Sequence, residues 1–245
     1  MQLLVTKLQR YIPLTAEECA AIGSMPFQTQ EIAARQEMPV SSGVGGSVHL
    51  IMSGYVCRYK ILPDGRRQIL SFLVAGDLSD LRLFILGQSD LSVATLSSVS
   101  VAIIPRSAIL RLTERFPRIT RALWWATLVE ESITQEWLVN VGQRTALERM
   151  AHLMCELHTR LAVVGCVDGQ SFDLPITQSE LADTLGLSTV HVNRTIQQLK
   201  RINALAINGR KVELLDAEKL RSIAMFSPDY LHLRPATGAS DDGAR

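Results

Sequence analysis

The chain has 245 residues, with 25 basic and 24 acidic side chains and 47% hydrophobic residues. This composition is typical of one large or two modest folded domains, and it excludes a chain that is disordered throughout. No apolar run approaches the roughly 20 residues of a membrane span and the N-terminus lacks the pattern of a secretory signal, so we expect a cytoplasmic protein with no membrane partner.

The N-terminal part of the chain predicts a helix followed by short strands. Thr15 and Glu18 form a Thr-x-x-Glu capping box, in which each side chain satisfies a free backbone amide at a helix start. Glycines at positions 54, 65, 76 and 87 then recur every eleven residues. Turn signals at that spacing are typical of an all-β sandwich or barrel.

The clearest of these turns is Pro63-Asp64-Gly65. Proline presets the backbone for a turn, and glycine accepts the positive φ that it requires. Residues before the turn alternate as a strand does, and residues 68–74 form a second strand candidate, so we predict a β-hairpin. We interpret Arg66 and Arg67 as solvated residues of the turn.

A long helix is predicted from Pro117 to the region of Gly142. Apolar residues recur along it at intervals of three and four, which is close to the seam of a coiled coil. We expect this seam to be a dimer interface formed by Ile119, Ala122, Ala126, Val129, Ile133, Trp137 and Asn140. Trp124, Leu128 and Leu138 lie off the seam, so a second face must also be covered. The alternative is a single helix buried inside one domain.

Another helix is predicted after the capping box Thr145-Ala146-Leu147-Glu148. In it His152, Cys155 and Glu156 could share one face, as metal ligands do. We interpret Cys155 as a core residue and the other two as helix-surface residues, so we predict no metal site. Four cysteines without a C-x-x-C pair predict no disulfide framework. The sequence has no Ser/His/Asp set, P-loop or dinucleotide fingerprint, so we predict no catalytic residues and no cofactor.

Residues 177–201 predict two short helices joined by a tight turn. Thr177 and Glu180 form a third capping box, Gly186 suits the left-handed position after a helix, and Ser188 suits the N-cap of the next helix. Apolar residues give each helix one side to bury, at Leu181, Ala182 and Leu185 and then at Val192, Ile196 and Leu199. The pattern predicts a helix-turn-helix.

The opposite side of the second helix is polar, as a surface that reads DNA bases would be. Arg can form two hydrogen bonds to guanine, Asn or Gln can do so to adenine, and Thr or Val can contact a thymine methyl. The N-terminus of the first helix could hold a phosphate. We predict a DNA-binding site formed by Thr177, Gln178, Ser188, Thr189, Val190, His191, Asn193, Arg194, Gln197, Lys200, Arg210 and Lys211.

The placement of charge favours DNA, although the net charge does not. A net charge of +1 argues against a nucleic-acid partner, but between Thr184 and Val212 there are five basic residues and no acidic one. The end of this window predicts a hairpin around Asn208-Gly209, which we interpret as a wing for the phosphate backbone. The alternative is a helical hairpin with a solvated face.

The order of β-roll, long helix and winged helix-turn-helix resembles the Crp/Fnr family of transcription regulators. The residues that carry the resemblance are Pro63 to Ile69, Ala75-Gly76-Asp77, Thr177 to Ala182, Leu185 to Ser188 and Val192 to Thr195. It implies an α+β fold: a jelly-roll-like β-roll sensor domain of the cyclic-nucleotide-binding type at 1–117, a dimerisation helix and hinge at 118–142, and a winged helix-turn-helix DNA-binding domain at 143–233. We expect residues 234–245 to be a disordered tail.

The loop after Gly76-Asp77 departs from the family members that bind cyclic nucleotides. Those members carry a Gly-Glu pair and then Arg-Ser or Arg-Thr, which hold the ribose and the phosphate. In this chain Ser89-Asp90 replaces the Arg-Ser, and Asp80 and Arg82 complete a possible effector pocket. Because a carboxylate at that place would repel the phosphate, we predict that the protein does not bind cAMP. Micromolar binding in a calorimetric titration would contradict this.

Together these features predict a sequence-specific, DNA-binding transcription regulator that is not an enzyme. It would act as a homodimer on a two-fold symmetric site in double-stranded DNA, with RNA polymerase as a partner if it is an activator. The alternative is an effector-binding β-roll module whose helical domain contacts a protein rather than DNA. Steep salt dependence of duplex binding would separate the two.

Overall fold

Two short helices begin the chain in the computed structural model, which describes residues 1–38, 46–79, 81 and 91–234. They are α1 (Gln2–Gln9) and α2 (Ala16–Gly23). The predicted capping box of α2 is confirmed, since the Thr15 hydroxyl accepts from the Glu18 amide at 3.2 Å and the Glu18 carboxylate accepts from the Thr15 amide at 2.8 Å.

Within the described residues, six strands form two antiparallel sheets that share one apolar core. The strands are β1 (Gln28–Ile32), β2 (Ser47–Ser53), β3 (Val56–Ile61), β4 (Arg67–Leu73), β5 (Ser92–Thr95) and β6 (Val99–Pro105). One sheet has the order β1-β6-β2 and the other β4-β3-β5. Leu50 and Ile104 of the first sheet are buried with Cys57 and Phe72 of the second, as the sandwich prediction requires.

The predicted hairpin is confirmed as β3 and β4, which pair antiparallel with Ile61 opposite Arg67. Gly65 takes φ +86° in the turn, and Arg66 is exposed and pairs with Asp64. The interpretation of Arg67 as a solvated turn residue is wrong. Its side chain is only 30% exposed, and its Nε donates to the carboxylate of Asp183 at 2.8 Å, because the start of β4 packs beside the C-terminal domain.

Two helices follow the β-roll, α3 (Arg106–Arg115) and the predicted long helix α4 (Pro117–Gln143). The seam predicted as a dimer interface faces the protein's own core, so that prediction is wrong. Six of its residues are buried in the single chain and Ala126 is half-buried; the six are Ile119, Ala122, Val129, Ile133, Trp137 and Asn140. They pack inward with β-roll residues such as Phe72, whose ring meets that of Trp137 edge-on at 5.3 Å.

The C-terminal domain combines four helices with one small sheet in the described part of the chain. Its elements are α5 (Ala146–Val163), β7 (Ser171–Asp173), α6 (Gln178–Leu185), α7 (Thr189–Arg201), β8 (Ala206–Asn208), β9 (Lys211–Glu213), α8 (Ala217–Ala224) and a 3₁₀ turn (Pro228–Leu231). The sheet has the order β7-β9-β8, so β7 adds a strand that the sequence did not predict. Helix α5 packs on α7 and α8.

His152 and Glu156 are fully buried, so their interpretation as helix-surface residues is wrong; Cys155 is a core residue, as predicted. The reason is that α5 is covered on more than one side: the His152 ring lies 5.1 Å from that of Phe226 and 5.8 Å from that of Tyr230. Burial, with a smaller contribution from Arg144, lowers the pKa of His152 to about 3, so the imidazole is neutral at pH 7.

Two predictions lie outside the described residues. These are the possible effector pocket at Asp80, Arg82, Ser89 and Asp90 and the predicted tail from residue 235 onward. Among the residues that are described, no group of His, Cys, Asp and Glu side chains is arranged to hold a metal ion. No helix in the same ranges has both the length and the apolarity needed to cross a membrane.

Candidate nucleic-acid interface

The first helix of the helix-turn-helix, α6, begins at a capping box and ends at a left-handed glycine. The Thr177 hydroxyl accepts from the Glu180 amide at 3.2 Å, and the Glu180 carboxylate accepts from the Thr177 amide at 2.7 Å. Gly186 takes φ +64° and ψ +39°, a conformation that glycine adopts without strain. These two ends fix where the next helix starts, and both were predicted from the sequence.

Helix α7 buries one side and exposes a polar face. Ser188 caps it by accepting from the His191 amide at 3.2 Å, and Val192, Ile196 and Leu199 are buried as predicted. Six of the predicted reading residues are exposed on the other side; they are Thr189, Val190, His191, Asn193, Arg194 and Gln197. The N-terminal half of α7 therefore offers the donors and acceptors that a recognition helix presents to base edges.

The start of α6 adjoins this polar face. Gln178 is exposed, and its side-chain oxygen accepts from the Asn193 amide group at 3.5 Å. Thr177 is half-buried and its hydroxyl is engaged in the capping box. Gln178 is thus the more exposed of the two residues predicted at this helix N-terminus, and the Thr177 hydroxyl, which accepts in the capping box, keeps its own proton to donate.

The hairpin predicted around Asn208-Gly209, which we call the wing, is confirmed as β8–β9, and Gly209 takes φ +61° in its turn. Arg210 and Lys211 are exposed, and Lys211 pairs with Asp168 at 3.1 Å. Lys200 differs from the other predicted contacts: it is half-buried, and its ammonium donates to the Ile207 carbonyl at 3.0 Å. Lys200 therefore joins α7 to the wing.

Sequence reasoning missed a cluster of four charged side chains between the β-roll and the C-terminal domain. Asp77, in the turn after β4, accepts from Lys7 of α1 and from Arg160 of α5, the latter at 2.8 Å. Arg160 also donates to Glu156 at 3.0 Å and to the Phe72 carbonyl at 2.8 Å. None of the four side chains is more than 17% exposed, and the two positive charges balance the two negative ones.

In this cluster, burial and ion pairing shift each pKa in opposite directions, and the effect of ion pairing is the larger one for Asp77 and Lys7. Burial by itself would raise the pKa of Asp77, but Lys7 and Arg160 hold that pKa below its usual value. Burial would likewise lower the pKa of Lys7, and the Asp77 carboxylate reverses this and raises it. Lys7, Asp77 and Arg160 are therefore charged at neutral pH. Only the i, i+4 spacing of Glu156 and Arg160 was visible in the sequence.

The chain is similar to known proteins over both halves. A family model for a cyclic nucleotide-binding domain matches residues 33–116, and one for a Crp-like helix-turn-helix domain matches residues 148–223. The nitrogen fixation regulation protein FixK of Bradyrhizobium diazoefficiens is 31% identical over 179 residues, which cover 73% of this chain and 74% of that protein. A probable transcriptional activator of Rhizobium leguminosarum bv. viciae is 32% identical over 69% of this chain and 70% of its own length.

A solved structure shows the same fold. FixK2 from Bradyrhizobium japonicum superimposes with a TM-score of 0.69 and 24% identity, over 81% of this chain and 98% of that one. The β-roll, the long helix and the exposed face of α7 define a DNA-binding transcription regulator, a class of protein that is not an enzyme. The chain belongs to the Crp/Fnr family, as the sequence motifs predicted.

Proposed function

We propose that the protein acts as a homodimer whose two α7 helices read a two-fold symmetric DNA site. The observation that carries this proposal is the exposed polar face of α7, which lies on a helix-turn-helix with a buried core and beside the basic wing. A helix fits the major groove, and its N-terminal residues meet the base edges there.

Each exposed side chain of α7 suits a particular base contact. Arg194 would donate two hydrogen bonds to a guanine, and Asn193 or Gln197 would bond an adenine. Val190 is 78% exposed and has no acceptor for a cytosine amine, so it suits a thymine methyl instead. Arg210 and Lys211 of the wing would contact phosphates, which orient the domain without reading sequence.

The dimer would form through the exposed side of α4, opposite the buried seam. We name the outer stripe as Trp124, Leu128, Glu131, Gln135 and Leu138, all of which are exposed. They recur at intervals of four and three, the spacing of a two-stranded coiled coil. Trp124 and Leu138 are 67% and 73% exposed, and a second copy of the helix would remove this apolar area from water.

Replacing Leu128 by Glu should convert the dimer to a monomer, because it would remove an apolar side chain from each copy and add two carboxylates beside the two that Glu131 already supplies to the outer stripe. Size-exclusion chromatography with light scattering measures the mass directly. Leu110→Glu is the matched control, since Leu110 is an exposed leucine of α3 outside the stripe and its variant should remain dimeric. A Leu128→Glu protein that is still a dimer would place the interface elsewhere.

Selection of bound duplexes from a random pool with the purified protein, no effector added, tests the proposed function. We expect enrichment of an inverted repeat whose half-site centres are about one helical turn, or a multiple of it, apart. Binding of the selected duplex should fall steeply as salt rises, because phosphate contacts release counterions. No enriched sequence, or binding insensitive to salt, would instead favour the protein-contacting alternative.

We further propose that the protein activates transcription in the cytoplasm and contacts RNA polymerase when it does so. The support is the name of the Rhizobium leguminosarum relative, a probable transcriptional activator. We propose the same domain boundaries as the sequence indicates: a sensor domain at residues 1–117, a dimerisation helix and hinge at 118–142 and a DNA-binding domain at 143–233.

A further inference from the structure

The β3–β4 hairpin contacts the helix-turn-helix just before its turn. Arg67 Nε donates to the Asp183 carboxylate at 2.8 Å, and Gln68 Nε2 donates to the Thr184 carbonyl at 3.3 Å. Asp183 and Thr184 lie in the last turn of α6, which ends at Gly186. The sensor domain therefore touches the DNA-binding domain within a few residues of the turn that sets the direction of α7.

This contact differs in burial from the Asp77 cluster. The Arg67 and Asp183 side chains are 30% and 27% exposed, whereas Asp77 and Arg160 are 3% and 11% exposed. An ion pair that water can reach opens at smaller cost than one enclosed by protein.

Other bonds also join the β-roll to the C-terminal domain: the Tyr55 hydroxyl donates to the Asp173 carbonyl at 2.7 Å, and Arg35 pairs with Glu180 at 3.5 Å. The bonds from the β3–β4 hairpin differ from these because they reach the last turn of α6, so they bear on the turn that sets the direction of α7.

The orientation held by this contact leaves the reading surface open. Arg67 and Gln68 meet the C-terminal end of α6, while the polar face of α7, including Asn193 and Arg194, is exposed. A dimer that reads two half-sites needs both recognition helices at a fixed separation and angle. If the two domains moved relative to each other, only part of the population would hold the orientation that binds DNA, and the apparent affinity would fall in proportion.

We propose that Arg67 and Gln68 are positioning residues, which hold the helix-turn-helix in the orientation that binds DNA. This inference rests on the proposed function. It also assigns a role to the Pro63–Ile69 segment, which the reading surface does not use. A movement of the hairpin within the sensor domain would release Asp183 and Thr184 and so lower the affinity for DNA.

Replacing Arg67 by Gln tests the contact. We expect operator binding, measured by fluorescence anisotropy, to weaken about three- to tenfold, and hydrogen exchange of the backbone amides at 183–188 to become faster. The variant should remain folded, and the midpoint of its thermal unfolding should be close to that of the wild type. Arg66→Gln is the matched control, because Arg66 carries the same charge on the same hairpin but pairs with Asp64; it should alter neither measurement.

A double-mutant cycle separates the ion pair from a general loss of charge. Asp183→Asn alone should weaken operator binding to a similar extent, and adding it to Arg67→Gln should cost little more, because the pair is already broken. Three results would overturn the inference. They are additive effects in the double variant, an operator complex of Arg67→Gln that is as tight as that of the wild type or tighter, and an Arg66→Gln variant that weakens binding as much as Arg67→Gln does. Hydrogen exchange is measured without DNA, so failure of the wild-type protein to bind any duplex would reject the proposed function separately.

Discussion

Asn in place of Asp77 is expected to lower the free energy of unfolding by about 3–5 kcal/mol. The substitution removes the carboxylate that pairs with both Lys7 and Arg160, so Lys7 would be left as a buried charge without its counter-ion. Total stabilities of such domains are only about 5–15 kcal/mol, and the loss is therefore a large fraction. Urea unfolding followed by tryptophan fluorescence measures it, since Trp137 donates to Glu156 within the same cluster.

Asp64→Asn provides the control for this experiment. Asp64 is also an ion-paired aspartate in a β-roll turn, but it is 53% exposed with its partner Arg66 at 77%, and its replacement should leave the urea midpoint unchanged. If Asp77→Asn were as stable as the wild type, the cluster would not join the two domains as the distances indicate.

The pH dependence of this effect follows from the directions of the two pKa shifts. The folded-state pKa of Asp77 is lowered, so its contribution is present above the unfolded value of about 3.9 and is lost as pH falls below it. The folded-state pKa of Lys7 is raised, so its contribution is present below about 10.4 and is lost as pH rises above it. Between about pH 5 and 9 the cost of Asp77→Asn should therefore be constant.

Short sequence motifs predicted the helix starts and the hairpins well, because the interactions that form these elements join residues only a few positions apart. A capping box needs two residues three positions apart, and the hairpin needs a turn such as Pro63-Asp64-Gly65 between two strand patterns. The three predicted capping boxes, at Thr15, Thr145 and Thr177, all form. The recognition helix was predictable for the same reason, since its buried and exposed faces lie within one continuous segment.

What the sequence did not reveal depends on partners far along the chain. Helix α4 carries large apolar residues on two sides, and periodicity cannot tell which side meets the protein's own core; the core takes the side with Ile119 and Ile133 and leaves Trp124 exposed. Burial of Glu156 depends on Tyr230, 74 residues away, and Lys7 and Asp77 are separated by 70 residues. Pairings of this kind leave no periodic pattern.

Arg194→Ala should have the largest effect of any single change in the reading surface. Loss of two hydrogen bonds to a guanine costs about 1–3 kcal/mol, and in a symmetric dimer the loss occurs in both half-sites. The affinity for the selected operator should fall accordingly. The affinity for an operator whose guanine is already replaced should hardly change, so discrimination at that one base pair should disappear.

The control is Arg201→Ala. Arg201 is also an exposed arginine of α7, and it is the last residue of that helix. Arg201 lies two helical turns from Arg194, away from the N-terminal residues that meet base edges, so its loss should weaken binding to all sequences alike. Anisotropy titrations of both variants against the operator and its single-base derivatives distinguish the two roles. An Arg194→Ala protein that keeps its preference for the original base pair would show that Arg194 contacts phosphate and that another residue reads that position.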